Sequence, residues 1–118
     1  MSSKNPAQRL QDIADNIQAI RDFVSGMDAD AFLSSRRTTY AVTRALEIIS
    51  EASRRLPDDF KARNPSLDWP AIAAVGNFYR HEYETVDDTL LWHTVKHSLD
   101  TLDKVVREEL GRLRTFDS

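Results

Sequence analysis

Cysteine is absent from this 118-residue chain, and glycine, proline and long apolar runs are scarce. Without cysteine, the chain can form neither a disulfide framework nor a thiolate metal site. Three glycines and four prolines leave little material for the turns that many short strands would need. No apolar run approaches the roughly 18 residues of a membrane span. These absences predict a helical domain with few loops and no membrane partner.

The charge balance describes an ordinary globular protein. Apolar residues make up 41% of the chain and charged residues 30%, with a formal net charge of -3. A chain of this charge has no overall basic footprint for nucleic acid, so any RNA contact must be local. The N-terminus lacks the apolar core of a signal peptide, and we expect a cytoplasmic protein. The length predicts one domain over 1–118, with its core at about 6–113 and a short flexible tail at 114–118.

Apolar residues recur at three- and four-residue intervals, which predicts amphipathic helices. Asn5, Asp28, Asp68 and Asp87 are suited to cap four of them. The apolar line of the second long helix includes Tyr40. The predicted helices are 6–25, 28–33, 35–56, 58–63, one that begins near Trp69, and a last long helix that ends at about Leu113. The expected fold is an all-α bundle of three to four main antiparallel helices plus short ones, and a homodimer would bury its remaining apolar surface.

Residues 76–83 hold the densest group of chemically useful side chains in the sequence. On a helix, Asn77 lies beside both Arg80 and His81, because residues three and four apart are neighbours. His81 can transfer a proton near neutral pH, and Arg80 offers a planar cation that fits a phosphate. Asn77 can orient the imidazole or the substrate. Tyr83 adds a hydroxyl and a ring on which a base can stack.

This set suits RNA cleavage by attack of a 2′-hydroxyl on the adjacent phosphate. The reaction needs an acid or base and a cation, but neither a metal nor a cofactor. His93 and His97 lie four apart on the last helix, yet no third ligand at useful spacing accompanies them. From spacing alone, a His–Arg pair at a helix end is also consistent with a capping or surface feature. The acidic residues that follow His81 oppose simple electrostatic capture of RNA.

Other conspicuous side chains have two interpretations. Trp69 and Trp92 fit core or dimer contacts better than a base-stacking surface. The arginine pairs at 36–37 and 54–55 are typical of solvated helix faces, or they add positive potential for an RNA backbone.

Three segments of the chain resemble the HepT-like family of HEPN-domain proteins, also called the DUF86 group. They are residues 9–13, residues 44–52 (which resemble the family's LEIIGEA segment), and residues 69–73 followed by 77–83 and 86–87. The resemblance covers roughly residues 9–110. It implies a helical bundle that dimerises, with the motifs of two protomers facing one cleft.

The resemblance also implies a function. Family members are toxins that cut RNA without metal, and their partner is an MntA-type nucleotidyltransferase antitoxin that transfers AMP to the tyrosine of an Arg-x4-His-x-Tyr motif. Carried over, His81 matches the motif histidine, Tyr83 the tyrosine that is modified, and Asn77 the polar residue after the motif arginine. Glu51 matches an acidic residue of the second helix, and Arg44 on that helix is a further candidate to line the cleft.

One position departs from the family motif. The motif arginine should lie five residues before His81, where this chain has Gly76. Arg80 is the nearest substitute, but adjacent helix residues point about 100° apart. A mid-helix glycine costs about 1 kcal/mol relative to alanine, which close approach of another backbone, such as the partner subunit's helix, would offset. Gly76 therefore leaves open a catalytically weak or inactive dimer that serves as a nucleotide- or protein-binding module.

Overall fold

The computed structural model describes residues 5–76 and 88–117. These two ranges form helices and no strand, so the predicted all-α class is confirmed. The helices are α1 (Pro6–Val24), α2 (Ala29–Leu33), α3 (Arg36–Arg54), α4 (Asp58–Arg63), α5 (Trp69–Ala74), α6 (Asp88–His97) and α7 (Leu99–Asp117). None of the described helices is both long enough and apolar enough to cross a membrane.

The predicted N-terminal caps are present where the structure describes them. The side-chain oxygens of Asn5, Asp28 and Asp68 accept hydrogen bonds from backbone amides in the first turns of α1, α2 and α5. Each bond satisfies a donor that has no partner within its helix. Local sequence therefore sets where these helices begin. The predicted cap Asp87 lies outside the described residues.

The core lies where the three 19-residue helices meet. Helix α1 packs against both α3 and α7, and its predicted apolar line is buried from Leu10 to Ile20 and partly buried at Val24. The buried apolar side chains of these three helices include Leu10, Ile13, Ile17, Ile20, Val42, Leu46, Ile49, Leu102 and Val106. Burial of each such side chain stabilises the fold by about 1.5–3 kcal/mol, which holds α3 firmly against α1.

Tyr40 was wrongly placed on the apolar line of α3. Its side chain is 52% exposed, and the guanidinium of Arg36 lies 5.2 Å from the centre of its ring. At 100° per residue, Tyr40 lies about 120° away from Leu46 around the helix, whereas Thr39 lies within about 20°. Thr39 is accordingly buried and Tyr40 faces solvent.

The predicted last long helix is two helices, α6 and α7, separated at Ser98. The two pack against different neighbours: Trp92 of α6 contacts Phe32 of α2 at 4.9 Å between ring centres, whereas α7 runs along α1. The Ser98 amide still donates to the carbonyl of Thr94 at 3.0 Å, so the interruption between the two helices is confined to one residue. Helix α7 continues to Asp117, beyond the predicted end at Leu113.

Ion pairs tie α7 to its neighbours. Arg21 of α1 contacts Asp100 at 2.8 Å and Asp103 at 2.9 Å. Glu109, on the same helix, accepts hydrogen bonds from Arg112 and from Arg63 of α4. The hydrogen bond from Arg112, with help from Arg63, lowers the pKa of Glu109 to about 2. This carboxylate therefore stays ionised and keeps α4 joined to α7 at neutral pH.

Candidate functional site

The structure describes the chain up to the start of the predicted motif. The predicted catalytic residues Asn77, Arg80 and His81, and the predicted modification site Tyr83, lie outside the described residues. Gly76, which occupies the position of the motif arginine, is the last described residue before them. The geometry at Gly76 therefore shows how the fold presents the beginning of this segment.

Gly76 is held against α3 by a buried hydroxyl. Its backbone amide donates to Oγ of Ser50 at 2.6 Å, and the same Oγ donates to the carbonyl of Ile72 at 3.2 Å. Nη2 of Arg54 donates to the carbonyl of Ala73 at 2.7 Å. Carbonyls in the last turn of a helix lack partners within the helix. Side chains of α3 thus satisfy the end of α5 and fix the backbone immediately before the motif.

Only glycine fits at position 76 in this packing. A Cβ built there would lie 2.9 Å from Cα of Glu47 and 2.9 Å from Oγ of Ser50. The predicted close approach to another backbone is therefore present. The backbone that approaches Gly76 is that of α3 in the same chain, and Gly76 follows α5, which ends at Ala74. This contact gives a physical reason why the motif arginine is absent here.

The two residues expected to line the cleft both lie on the exposed face of α3. Arg44 pairs with Glu47 at 3.1 Å, and Glu51 pairs with Arg54 at 3.1 Å and with Arg55 at 2.7 Å. Arg44 and Glu51 are seven residues apart, about two helical turns, with Glu47 between them. Since Cα of Glu47 faces Gly76, this part of α3 adjoins the start of the motif segment.

The hydrogen bond from Arg55, together with the charges of Arg55 and Arg54, lowers the pKa of Glu51 from its ordinary value. A carboxylate with a lowered pKa is a poor proton donor at neutral pH. Glu51 is therefore suited to orient arginines or accept hydrogen bonds rather than to act as a general acid.

Ser50 and Arg54 were not singled out as individual site residues from the sequence. Ser50 is only 1% exposed and lies among the apolar residues of α3. A small polar residue inside an apolar line needs a hydrogen-bond partner when it is buried. Its position in that line was the feature of the sequence that could have indicated a role for Ser50. The sequence alone does not reveal that the partner is Gly76, 26 residues further along the chain.

The tryptophans make contacts within the chain, in agreement with the core interpretation. The indole of Trp69 packs edge-on against Phe60 at 5.6 Å between ring centres, and its Nε1 donates to the carbonyl of Asn64. Trp92 packs on Phe32 and lies under Nζ of Lys96. The described contacts of both indoles thus serve the packing of the bundle.

The histidine pair of α6 is close in space. The rings of His93 and His97 lie 4.6 Å apart between centres. Within residues 5–76 and 88–117, no group of three or more histidine, aspartate or glutamate side chains is arranged to hold a metal ion. A structural zinc site takes four ligands and a catalytic one takes three. The pair alone therefore supports no metal centre.

A cavity of about 450 Å³ opens between α5, α6 and the start of α7. Its described lining is mainly apolar and includes Ile49, Val75, Leu90 and Leu102. Asp68 is the one ionisable residue among the described lining, and its carboxylate already caps α5. A nucleotide phosphate requires cations or clustered amide donors. This lining therefore does not support the alternative of nucleotide binding at this place.

The described residues form an all-α helical domain, and sequence comparison identifies its family. The sequence profile described as "Ribonuclease HepT-like" matches residues 13–109, so the chain belongs to the HepT-like ribonuclease family. It is 41% identical over 93 residues to a Thermococcus cleftensis protein named "Probable ribonuclease HepT", covering 79% of this chain and 84% of that protein.

A Methanocaldococcus jannaschii protein named "Putative RNase MJ1380" is 34% identical over 106 residues, which covers 90% of this chain and 97% of the relative. No solved structure matches the chain. The family to which the sequence pointed is thereby confirmed.

Proposed function

We propose that the protein is the cytoplasmic toxin of a HepT/MntA-type toxin–antitoxin module and cuts RNA internally without a metal ion. The observation that carries this proposal is the match of the ribonuclease HepT-like family over residues 13–109. In the proposed reaction, a 2′-hydroxyl attacks the adjacent phosphate and displaces the 5′-oxygen of the next nucleotide. The products are a 2′,3′-cyclic phosphate and a 5′-hydroxyl, so the proton lost by the 2′-oxygen is balanced by the one gained by the 5′-oxygen. His81 transfers the proton, Arg80 stabilises the developing charge, and Asn77 orients the histidine or the substrate.

The described geometry supports two roles for α3 in the proposed site. It holds the backbone at the start of the motif segment, and it supplies a cation beside that backbone. Ser50 and Arg54 hold the backbone up to Gly76, directly before Asn77. Arg44 lies on the same helix, one turn from Glu47, and brings a cation to the side of α3 that adjoins Gly76. A cation at this place partly compensates for the absent motif arginine. In the proposed homodimer, two such surfaces face one composite cleft.

The test of the proposed activity is cleavage of RNA in excess chelator. The purified protein is incubated with total cellular RNA at physiological salt in EDTA, and the products are separated on a denaturing gel. We expect cleavage to continue in EDTA and to leave 2′,3′-cyclic phosphate ends, because the attacking oxygen belongs to the RNA. Complete loss of cleavage in EDTA, with recovery on added Mg²⁺, would contradict metal independence. Intact RNA under both conditions would contradict nuclease activity.

Silencing is proposed to occur by AMP transfer to Tyr83. With an MntA-type nucleotidyltransferase and ATP, intact-mass spectrometry is expected to show the addition of AMP to the wild type and a parallel loss of cleavage. The Tyr83→Phe variant removes the acceptor oxygen, and Tyr40→Phe is the control because the side chain of Tyr40 is 52% exposed and carries the same hydroxyl. Modification of Tyr83→Phe to the wild-type extent would place the acceptor elsewhere.

A second candidate function is a dimeric binding module without cleavage. The packing at Gly76 favours it, because no arginine fits there in the described backbone geometry. This candidate predicts binding of the nucleotidyltransferase partner, or saturable binding of RNA or nucleotide, without turnover. Cleavage by the wild type in the chelator experiment would exclude it.

A further inference from the structure

The outward face of α3 concentrates positive charge. The segment from Arg36 to Arg55 holds five arginines and two glutamates, with no lysine or aspartate, so its formal charge is +3. The whole chain carries -3, and the remainder of the chain therefore carries -6. We call this surface the α3 basic face, and its arginines are Arg36, Arg37, Arg44, Arg54 and Arg55.

The helix presents these arginines on its exposed side along its full length. The arginines are exposed, whereas Val42, Leu46 and Ile49 on the opposite side are buried. From Arg36 to Arg55 the helix rises about 28 Å. Near its middle, Cα of Glu47 faces Gly76. The basic face therefore extends in both directions from the point where the motif segment begins.

The ion pairs described on the α3 basic face are exposed and weak, so their arginines can exchange a carboxylate for a phosphate. The ion pairs of Arg44, Arg54 and Arg55 are with Glu47 or Glu51, and all three arginine side chains are 41–70% exposed. Arg54 also donates to the carbonyl of Ala73, so Arg44 and Arg55 are the two of these three that can exchange partners without releasing α5. Exposed pairs of this kind contribute only about 0–1 kcal/mol. The segment carries five guanidinium groups and two carboxylates. A phosphate accepts a bidentate guanidinium bond as well as a carboxylate does.

We propose that the α3 basic face is a track for the backbone of single-stranded RNA that leads to the motif segment. The two arginine pairs near the ends of α3, with Arg44 between them, can neutralise phosphates at separate points along the helix. The net negative charge of the rest of the chain disfavours RNA elsewhere. Tyr40, which is 52% exposed between Arg36 and Arg44, offers a ring for a base. The proposal names the substrate-binding surface of the proposed ribonuclease and rests on that function.

The test compares two pairs of substitutions that remove equal charge. Arg36→Gln with Arg37→Gln removes two cations from the far end of the α3 basic face. Lys104→Gln with Arg114→Gln removes two cations from α7, a different helix that packs against α1. Each pair is combined with His81→Ala so that RNA stays intact. Affinity for a fluorescein-labelled 12-nucleotide RNA is measured by anisotropy at several salt concentrations, and circular dichroism confirms folding.

We expect the Arg36/Arg37 pair to weaken binding about tenfold near 0.1 M salt, and the Lys104/Arg114 pair to leave it nearly unchanged. The slope of log affinity against log salt should decrease by about 0.7 for each lost phosphate contact on a single strand. The proposed track is wrong if both pairs lower RNA affinity equally or if neither pair lowers it. It is also wrong if the protein binds a duplex of the same length more tightly than the single strand.

RNA cleavage is also measured for the protein that retains His81, so that failure of the track and failure of the proposed ribonuclease can be told apart. If the wild type cuts RNA but the Arg36/Arg37 pair binds RNA as the α7 control does, the track is wrong and the ribonuclease stands. If the wild type binds RNA through α3 but never cuts it, the ribonuclease is wrong and the track stands.

Discussion

Replacing His81 with alanine is expected to lower the turnover number for RNA cleavage by about 10²- to 10⁴-fold. In the proposed reaction this imidazole is the only motif group whose ordinary pKa, near 6.5, permits proton transfer in both directions at neutral pH. Alanine removes that path, while any phosphate binding by the arginines remains. We therefore expect the loss mainly in the turnover number and less in the substrate concentration needed for half-maximal rate.

The matched control for this substitution is His93→Ala. His93 is also a histidine of a helical domain, but it lies on α6 and its described ring contact is with His97. Both variants are compared with the wild type over pH 5 to 9 in EDTA. The wild type and His93→Ala should share a pH dependence that is absent from His81→Ala. Equal cleavage by all three proteins would refute the proposed role of His81.

Replacing Gly76 with arginine is expected to destabilise the protein by about 1–3 kcal/mol, the usual cost of overpacking, rather than to increase cleavage. The new Cβ meets Cα of Glu47, which is backbone and cannot rotate away. Relief requires α5 to move from α3, which breaks the 2.6 Å bond from the Gly76 amide to Ser50. Loss of that buried bond adds about 1–3 kcal/mol for each group left without a partner. Urea unfolding and the RNA cleavage assay measure the two effects.

Two further variants make this experiment specific. Gly111→Arg is the control, because a Cβ on Gly111 of α7 meets nothing within 4 Å. Ser50→Gly combined with Gly76→Arg removes two of the three close atoms and leaves the contact with Glu47. We expect Gly111→Arg to be at least as stable as the wild type, because glycine inside a helix costs about 1 kcal/mol relative to a good helix former. Because Ser50→Gly also removes two buried hydrogen bonds, the comparison is made with Ser50→Gly alone. Gly76→Arg should cost less stability in that background than in the wild type.

A Gly76→Arg protein that is as stable as the wild type and cuts RNA faster would contradict the packing argument. It would also mean that the wild type is a weakened enzyme. A stable wild type with measurable cleavage, beside a destabilised and slower Gly76→Arg variant, would show instead that this chain uses glycine for packing and obtains its cation elsewhere.

The helix starts could be predicted from the sequence because a cap depends only on residues within one turn. Asn5, Asp28 and Asp68 cap the helices that they were expected to cap, since a cap needs only its own side chain and the next two or three amides. The apolar line of α1 was readable for a similar reason, because spacing at three and four fixes a face. Tyr40 was misplaced because an aromatic ring resembles a core residue in the sequence, although its angular position points outward.

The sequence by itself determined the helical class, the family and the unusual presence of glycine where the motif arginine is expected. It could not say what that glycine does. Contacts between residues 26 apart depend on how α5 is laid across α3, and helix packing is set by the whole buried surface rather than by any short segment. Only the tertiary structure showed that Ser50 and the backbone of α3 occupy the space beside Gly76 and leave no room for a Cβ.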